Sequence, residues 1–481
     1  MKKALKAVLL TAVIMIMSVA CATQEPETFD LDFDAGGNSS EADLNGYSMR
    51  YAVTCATLFG DSSAENVLGF TSGTLFSDLA AKRKAEIEKN YNCTIDAFYT
   101  SDGANENDFT VHSMSGAFYC DVLQGSTHGL RSSMKIGIFQ SINSLDSYIN
   151  YRDSEKWGTP AMLEEMCWGG QLYGILPAAW PELNYSSFGY IFMANMNLAS
   201  SLGIPDIRET VENKEWNWDK FEETLAAGTV VEGGETKVYG MSAHPPYLGE
   251  MILRSNGDTI IIDKGNGNYT WGYAEPNALK ALQEFRDVYN GEYAFAFDHN
   301  VTSPDAVADA FIEGKATMTV VDTEQLFGYN GRISRNVENY AVLPAPTGPD
   351  VDPGRIFAVH ESFRSMIVFS AYSKNFDASA FIIDKLYEPF EGYETKDKIK
   401  EFMTYNYFFD DRDADIFFDM FRNTEYNYFI VGMRQFNEAI TDRKNKSVAE
   451  LVDIYKDYNQ RIIDNEAVSP RETLKELWPE E

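Results

Sequence analysis

Asp30, Asp32, Asp34 and Glu41 stand at the first, third, fifth and twelfth places of a calcium-binding loop, where spaced carboxylates can wrap one cation. The sixth place needs glycine for its sharp turn and holds Ala35, and no helical pattern precedes it. The segment therefore reads as a solvated acidic linker. The acid run Asp410–Asp415 reads in the same way as the start of a helix, whose positive end favours carboxylates. Five histidines are present, His112, His128, His244, His299 and His360, and none belongs to a His-Glu-x-x-His pair. Gly69-Phe-Thr-Ser-Gly73 places its serine one position late for a nucleophile elbow, and no Gly-x-x-x-x-Gly-Lys loop occurs. The chain has 73 acidic residues, so a carboxylate pair of the kind glycosidases use could be drawn anywhere and carries no weight. Besides Cys21, the cysteines are Cys55, Cys93, Cys120 and Cys167, with no zinc-type spacing; they read as buried thiols, with a disulfide of unassigned pairing left open by an extracellular setting. No metal and no cofactor is expected, and no catalytic residue is assigned.

The N-terminus carries a clearer message. Lys2, Lys3 and Lys6 precede an apolar run from Ala7 to Val19, too short to span a bilayer and suited to a secretory signal over residues 1–20. Ser18-Val19-Ala20-Cys21 resembles a bacterial lipobox, with Ser18 where that motif usually has leucine. Cys21 is thus the expected lipidation site. Residues 21–46 are rich in Asp, Glu, Gly and Ser and read as a disordered tether. The expected location is the outer face of the bacterial cytoplasmic membrane, with the lipid on Cys21 as anchor.

Net charge is −33, and signal cleavage would remove three lysines and no acid. Nucleic acid and anionic lipid would repel such a chain. The chain is long enough to bury a large core and to form two lobes.

Met49–Leu58 is apolar and β-branched enough for a buried strand. Phe76–Tyr91 follows as an amphipathic helix, with Leu79, Ile87 and Tyr91 inward. Cys93–Tyr99 and Ala117–Leu123 read as further strands. This alternation predicts an α/β sheet, in which ligands gather at the carboxyl ends of strands. Gln124 and His128, directly after the third strand, are candidates on that ground. Farther on, Asn217 can cap a helix that carries Phe221 and Leu225 on one face. Gly314 can end another helix, and Ala316–Val321 forms a strand that brings Asp322 to its carboxyl end. Residues Pro344–Pro349 form a rigid extended turn.

Four stretches taken in order resemble the bacterial extracellular solute-binding proteins of the maltose-binding-protein-like group, which serve ABC importers. They are Glu86–Ile95, Gly169–Pro177, Glu215–Ala227, and Asp309–Asp322 with Tyr340–Asp350; Ala371–Pro389 extends the similarity. The resemblance implies a two-lobed α/β fold, each lobe a mostly parallel sheet flanked by helices, with a ligand cleft between. It places the first lobe at 47–175 with 357–415 and the second at 178–355 with 416–475, with hinges near 175–178 and 355–359. It further implies a monomer that binds a small solute, most simply a mono- or oligosaccharide, and closes for a membrane permease. Aromatic faces stack on sugar C–H faces while carboxylates and amides meet hydroxyls. Trp180, Glu182, Asn184 and Tyr185 offer both after the first crossing. Tyr247 falls where the family places an aromatic. Asp322, Glu324 and Gln325 stand where the family often has an aromatic, and Tyr428 and Phe429 lie near its final one. The strong acidity keeps a peptide, polyamine or other cationic solute open as the ligand, and a surface carbohydrate-processing enzyme is the remaining alternative.

Overall fold

The computed structural model describes residues 42–54, 66–100, 104–181, 189–291, 304–327, 331–360, 365–426, 430–442 and 445–479. The expectations for the signal, Cys21, most of the tether, the calcium-spaced acids, Cys55, Glu182, Asn184, Tyr185, Tyr428 and Phe429 lie outside these residues.

Five strands of the first sheet come before the crossing: β1 (Tyr47–Thr54), β2 (Cys93–Thr100), β3 (Val122–Gly125), β4 (Phe139–Gln140) and β5 (Gly174–Ile175). After a crossing come β6 (Tyr190–Asn195), β7 (Val230–Glu232), β8 (Glu235–Ala243), β9 (Ala316–Asp322) and β10 (Tyr340–Leu343). A second crossing contains β11 (Ala358–His360), followed by β12 (Met366–Ser370) and finally β13 (Thr424–Tyr426). The first sheet runs β2-β1-β3-β12-β4, with β5 also on β12; the second runs β7-β8-β9-β6-β10. Both contain parallel pairs, β1 with β2 and β3, and β8 with β9. β12, from beyond the second crossing, runs antiparallel in the first sheet, and β6 and β7 run antiparallel in the second. The return of β12 to the first sheet stitches the two halves together.

Local sequence explains most elements. Helix α1 (Leu75–Asn90) starts at Thr74, whose hydroxyl accepts from Ser77 N while the Ser77 hydroxyl serves Thr74 N at 3.0 Å. It buries Phe76, Ala80 and Ile87, with Leu79 half-buried. The third strand begins at Val122 instead of Ala117. The backbone there closes the end of helix α2 (Ala104–Met114), with Ala117 N donating to His112 O at 2.9 Å. Asp121 then accepts from Arg50 N at 2.8 Å and from the Ser373 hydroxyl at 2.7 Å, which fixes where pairing starts. After β3 comes helix α3 (Thr127–Met134), and in the second half α4 (Ile207–Glu212) and α5 (Trp218–Ala227). Asn217 caps α5 by accepting from Lys220 N at 2.9 Å, and Phe221 and Leu225 are buried as the spacing predicts. Helix α6 (Pro245–Ser255) follows β8. Gly314, at φ +70°, ends α7 (Pro304–Ile312) and turns the chain into β9.

The expected lobe boundaries need correction at two places. Helices α8 (Phe376–Leu386), α9 (Lys396–Tyr407) and α10 (Asp411–Arg422) follow β12. Ile399 and Met403 of α9, with Ile416 and Phe417 of α10, share a core with Ile191, Met193, Tyr340 and Val342 of the second sheet. Residues 396–415 therefore pack mainly on the second half. Helices α11 (Ile430–Asp442) and α12 (Val448–Glu466) also stay there, but α13 (Val468–Leu477) returns to the first half. Gly170 N donates to the Thr473 hydroxyl at 3.0 Å and Arg471 pairs with Glu164 at 3.0 Å. Lys475 still reaches the second half through Asp263 and Tyr269, so α13 touches both.

Cys93, Cys120 and Cys167 are buried free thiols, and burial pushes Cys93 up to about 11 and the other two well above their usual range. Such thiols are poor nucleophiles. Among the described residues, no helix is long and apolar enough to cross a membrane.

Several carboxyls are also displaced upward. Burial raises Glu165 and Asp258 to about 7, and burial beside Glu222 raises Glu284 to about 8. A carboxyl that holds its proton more tightly folded than unfolded contributes stability below the unfolded value and loses it as pH climbs through the folded one. The melting temperature should therefore be higher at about pH 5.5 than at about pH 8, and Glu165→Gln should flatten that slope. A melting temperature that rises over this interval would contradict the assignment.

Candidate functional site

The second half presents its strand ends together. β8 and β9 run parallel, with Ala243 beside Val320, so their carboxyl ends emerge side by side. β9 ends at Asp322, paired with Tyr190 at the start of antiparallel β6. From the end of β8, His244 leads into α6, where prolines at its first two positions suit a helix start. Tyr247, in that first turn, lies flat on Tyr190 with ring centroids 3.9 Å apart and planes 20° apart. Its hydroxyl donates to Asp322 Oδ2 at 3.3 Å, and His244 meets its ring edge-on at 4.8 Å. Three of the expected residues thus gather within one turn of β9: Asp322 and Glu324, both half-buried, and Gln325, whose amide donates to Asp305 at 3.1 Å. Both rings are buried, Tyr190 4% and Tyr247 8% exposed, so the two-ring slab backs the partly accessible carboxylates, which can meet a hydroxyl or ammonium donor.

The first half offers the β3–α3 turn. Gln124 is buried at the end of β3, while His128 is exposed in the first turn of α3. Ser126 caps α3, accepting from Gly129 N at 3.1 Å. Beneath the turn lies Glu106 of α2, 3% exposed, whose Oε1 accepts from Ser126 N at 2.7 Å.

The crossings join these two regions. β11 and β13 pair in parallel, with His360 beside Tyr426, and Gly189 packs so closely on this ribbon that a β-carbon there would lie 2.1 Å from Val359 O. Tyr190 follows Gly189 directly. On the other side, Gln124 and Gly125 pair with Ile367 and Met366, only a few residues past His360. A span that short reaches roughly 20 Å at most, so both clusters flank the same double crossing.

Trp180 is elsewhere. It is wholly buried, stacked on Phe390 at 4.6 Å and against Tyr387 at 4.5 Å, with its indole N–H donating to Glu388 O at 3.2 Å. Its faces are taken by the core of the first half, which corrects the expectation that it lines the site. Asp410–Asp415 is a helix start, as expected: Asp410 caps α10, and Asp413 is buried on Arg208. Among the described residues, no group of three or more His, Cys, Asp or Glu could hold a metal. Tyr190 and Glu106 were not evident from sequence; a tyrosine directly after Gly189 at the head of a strand was the only hint of the first.

No family pattern and no curated protein sequence matches the chain. Solved structures do. The GacH receptor of Streptomyces glaucescens GLA.O, known unliganded and with acarbose, superposes with a TM-score of 0.57 at 13% identity, over 87% of this chain and 99% of that one. The maltose-binding periplasmic protein of Listeria monocytogenes, in complex with maltose, gives 0.58 at 14% identity over 87% and 98%. A cyclo/maltodextrin-binding protein complexed with maltotetraose gives 0.58 at 12% identity over 88% and 99%. This is the two-lobed solute-binding-protein fold. The two strand-end clusters, one in each half, flank the β11–β13 ribbon and Gly189.

Proposed function

We propose that this chain is an extracellular solute-binding lipoprotein. It captures a mono- or oligosaccharide between its lobes and, by hinge closure, presents it to the membrane permease of an ABC importer. The observation that carries this reading is the Tyr247–Tyr190 slab with Asp322 at the strand ends beside the crossings. The carboxylate suits a sugar's hydroxyls, and the buried rings behind it hold it in place. The fold supports the reading, as do the acarbose, maltose and maltotetraose bound by proteins that share it. The secretory N-terminus and Cys21 supply export and anchorage. Lobe motion about 175–178 and 355–359 is the expected mode of closure.

A thermal-shift panel tests it. A ligand at about 100 times its dissociation constant stabilises by about 2.7 kcal/mol. Mono- and oligosaccharides should shift the melt; a shift with spermidine or short peptides alone would replace the sugar by a cationic solute, the reading that Asp322 and Glu324 favour. Sustained turnover of a sugar by pure protein would make it an enzyme instead. Tyr247→Ala removes the hydroxyl that holds Asp322 and should weaken sugar binding about tenfold, about 1.4 kcal/mol, as read by calorimetry. Unchanged affinity would remove Tyr247 from the site. Cys21→Ser should release the protein from membranes and abolish incorporation of labelled palmitate.

A further inference from the structure

Glu106 is an acid in an expensive place. It lies in the first turn of α2 and is 3% exposed. Oε1 accepts from Ser126 N at 2.7 Å, while Oε2 is buried and accepts no hydrogen bond. The β3–α3 turn is shaped around it: a methyl group at Gly125 or at Gly129 would come within 2.9 Å of the Glu106 side chain. Ser126 is the cap of α3, so the carboxylate sits at its own helix's N-terminus and against that of a second. Each helix N-terminus carries about half a positive elementary charge, and such ends bind anions readily. Two of them amount to roughly the charge of one carboxylate. The seat that a phosphate or carboxylate ligand would take is therefore filled from inside the protein.

We propose that Glu106 is a specificity residue: it occupies the anion seat at the first-lobe lip and restricts the cleft to solutes without negative charge, neutral polyols above all, excluding sugar phosphates and uronates. The proposal rests on the solute-binding reading and narrows it to a charge class. Gln124 and His128 flank the same turn, so a solute held there would lie directly over the filled seat. Asp322 and Glu324 at the opposite lip act in the same sense.

The test is calorimetric and thermal-shift titration of wild type, Glu106→Ala and Glu106→Gln with a neutral oligosaccharide, glucose 6-phosphate, glucuronate and inorganic sulfate. Glu106→Ala empties the seat, whereas Glu106→Gln removes the charge and keeps the seat filled. Wild type should respond to the neutral sugar and to none of the anions. Glu106→Ala should respond to sulfate and to the sugar phosphate, with the ratio of anion to neutral affinity raised roughly tenfold or more. A folded Glu106→Ala protein with an unchanged ratio overturns the proposal. If that variant does not fold, Glu106→Gln decides: a ratio raised by loss of the charge alone supports the proposal, and an unchanged ratio overturns it. If wild type binds no solute at all, the solute-binding reading fails, while the sulfate response of Glu106→Ala still tests the anion seat.

Discussion

Replacing Arg208 by alanine is expected to lower the folding free energy by about 3–5 kcal/mol. Arg208 in α4 is 4% exposed, and Asp413 in α10 is fully buried. The guanidinium donates through Nε at 2.9 Å and Nη2 at 2.8 Å to the two Asp413 oxygens, and Nη2 also reaches Tyr340 O at 2.8 Å. Asp413 accepts in addition from Val342 N at 3.1 Å. The pair thus fastens α4 and α10 to the edge strand β10. Burial already holds the Asp413 carboxyl above its usual range despite the guanidinium. Without Arg208 that carboxylate would be left in an apolar core, or would take up a proton and lose its best partner. The cost is that of an orphaned charge, and the pair itself is worth much less. Arg208→Met combined with Asp413→Leu should therefore recover most of the loss. Urea denaturation of the two single variants and the double variant measures this. A double variant as unstable as Arg208→Ala would show that the pair contributes more than it costs to bury.

The second large effect is at Trp180. Trp180→Ala should cost about 3–5 kcal/mol, as expected for an aromatic deleted from a packed core. Its ring fills the space between Phe70, Tyr387 and Phe390, and Phe390 in turn stacks on Phe76 of α1. The chain has just left the first sheet at β5, and Trp180 pins the start of the crossing to the core of the lobe it is leaving. A lower melting temperature, with near-normal affinity well below the transition for any solute the thermal-shift panel identifies, is the expected pattern. An unchanged melting temperature with lost affinity would return Trp180 to the cleft.

These two residues also show where sequence patterns stop being informative. Elements whose causes are local were legible. The cap at Asn217 lies next to the helix it starts, Gly314 lies next to the helix it stops, and the strand ending at Asp322 is a run of small, apolar and β-branched residues. The four ordered stretches carried the fold, and the structural neighbours share it at only 12–14% identity. What could not be read were roles fixed by distant partners. Asp413 looked like one acid in a run of acids, because the arginine that buries it is 205 residues away. Trp180 stands among polar and aromatic neighbours that suggest a binding loop, yet its ring is covered by residues near 387 and 390. The third strand was expected five residues early because Ala117–Cys120 is apolar, and only tertiary bonds to Asp121 decide where pairing begins. Of the proposed site, Tyr247, Asp322, Glu324 and Gln325 were named from strand ends and resemblance, and the structure brings them to the end of one strand. Tyr190 and Glu106 required the sheet register and the helix packing.

The order of strands in the first sheet has a consequence for how the protein is made. β12 lies between β3 and β4, so Leu123 must wait for Val368 before its strand has a partner on that side. Everything that builds the second sheet, from β6 to β10, is synthesised in the interval. The lobe that begins the chain is thus the one that must be completed last. Until then it presents an open central strand edge and an incomplete core, and closing so large a loop is slow. Under the proposed export, delayed closure is an advantage: the leading half stays translocation-competent until β12, which ends at Ser370 of 481 residues, has been made.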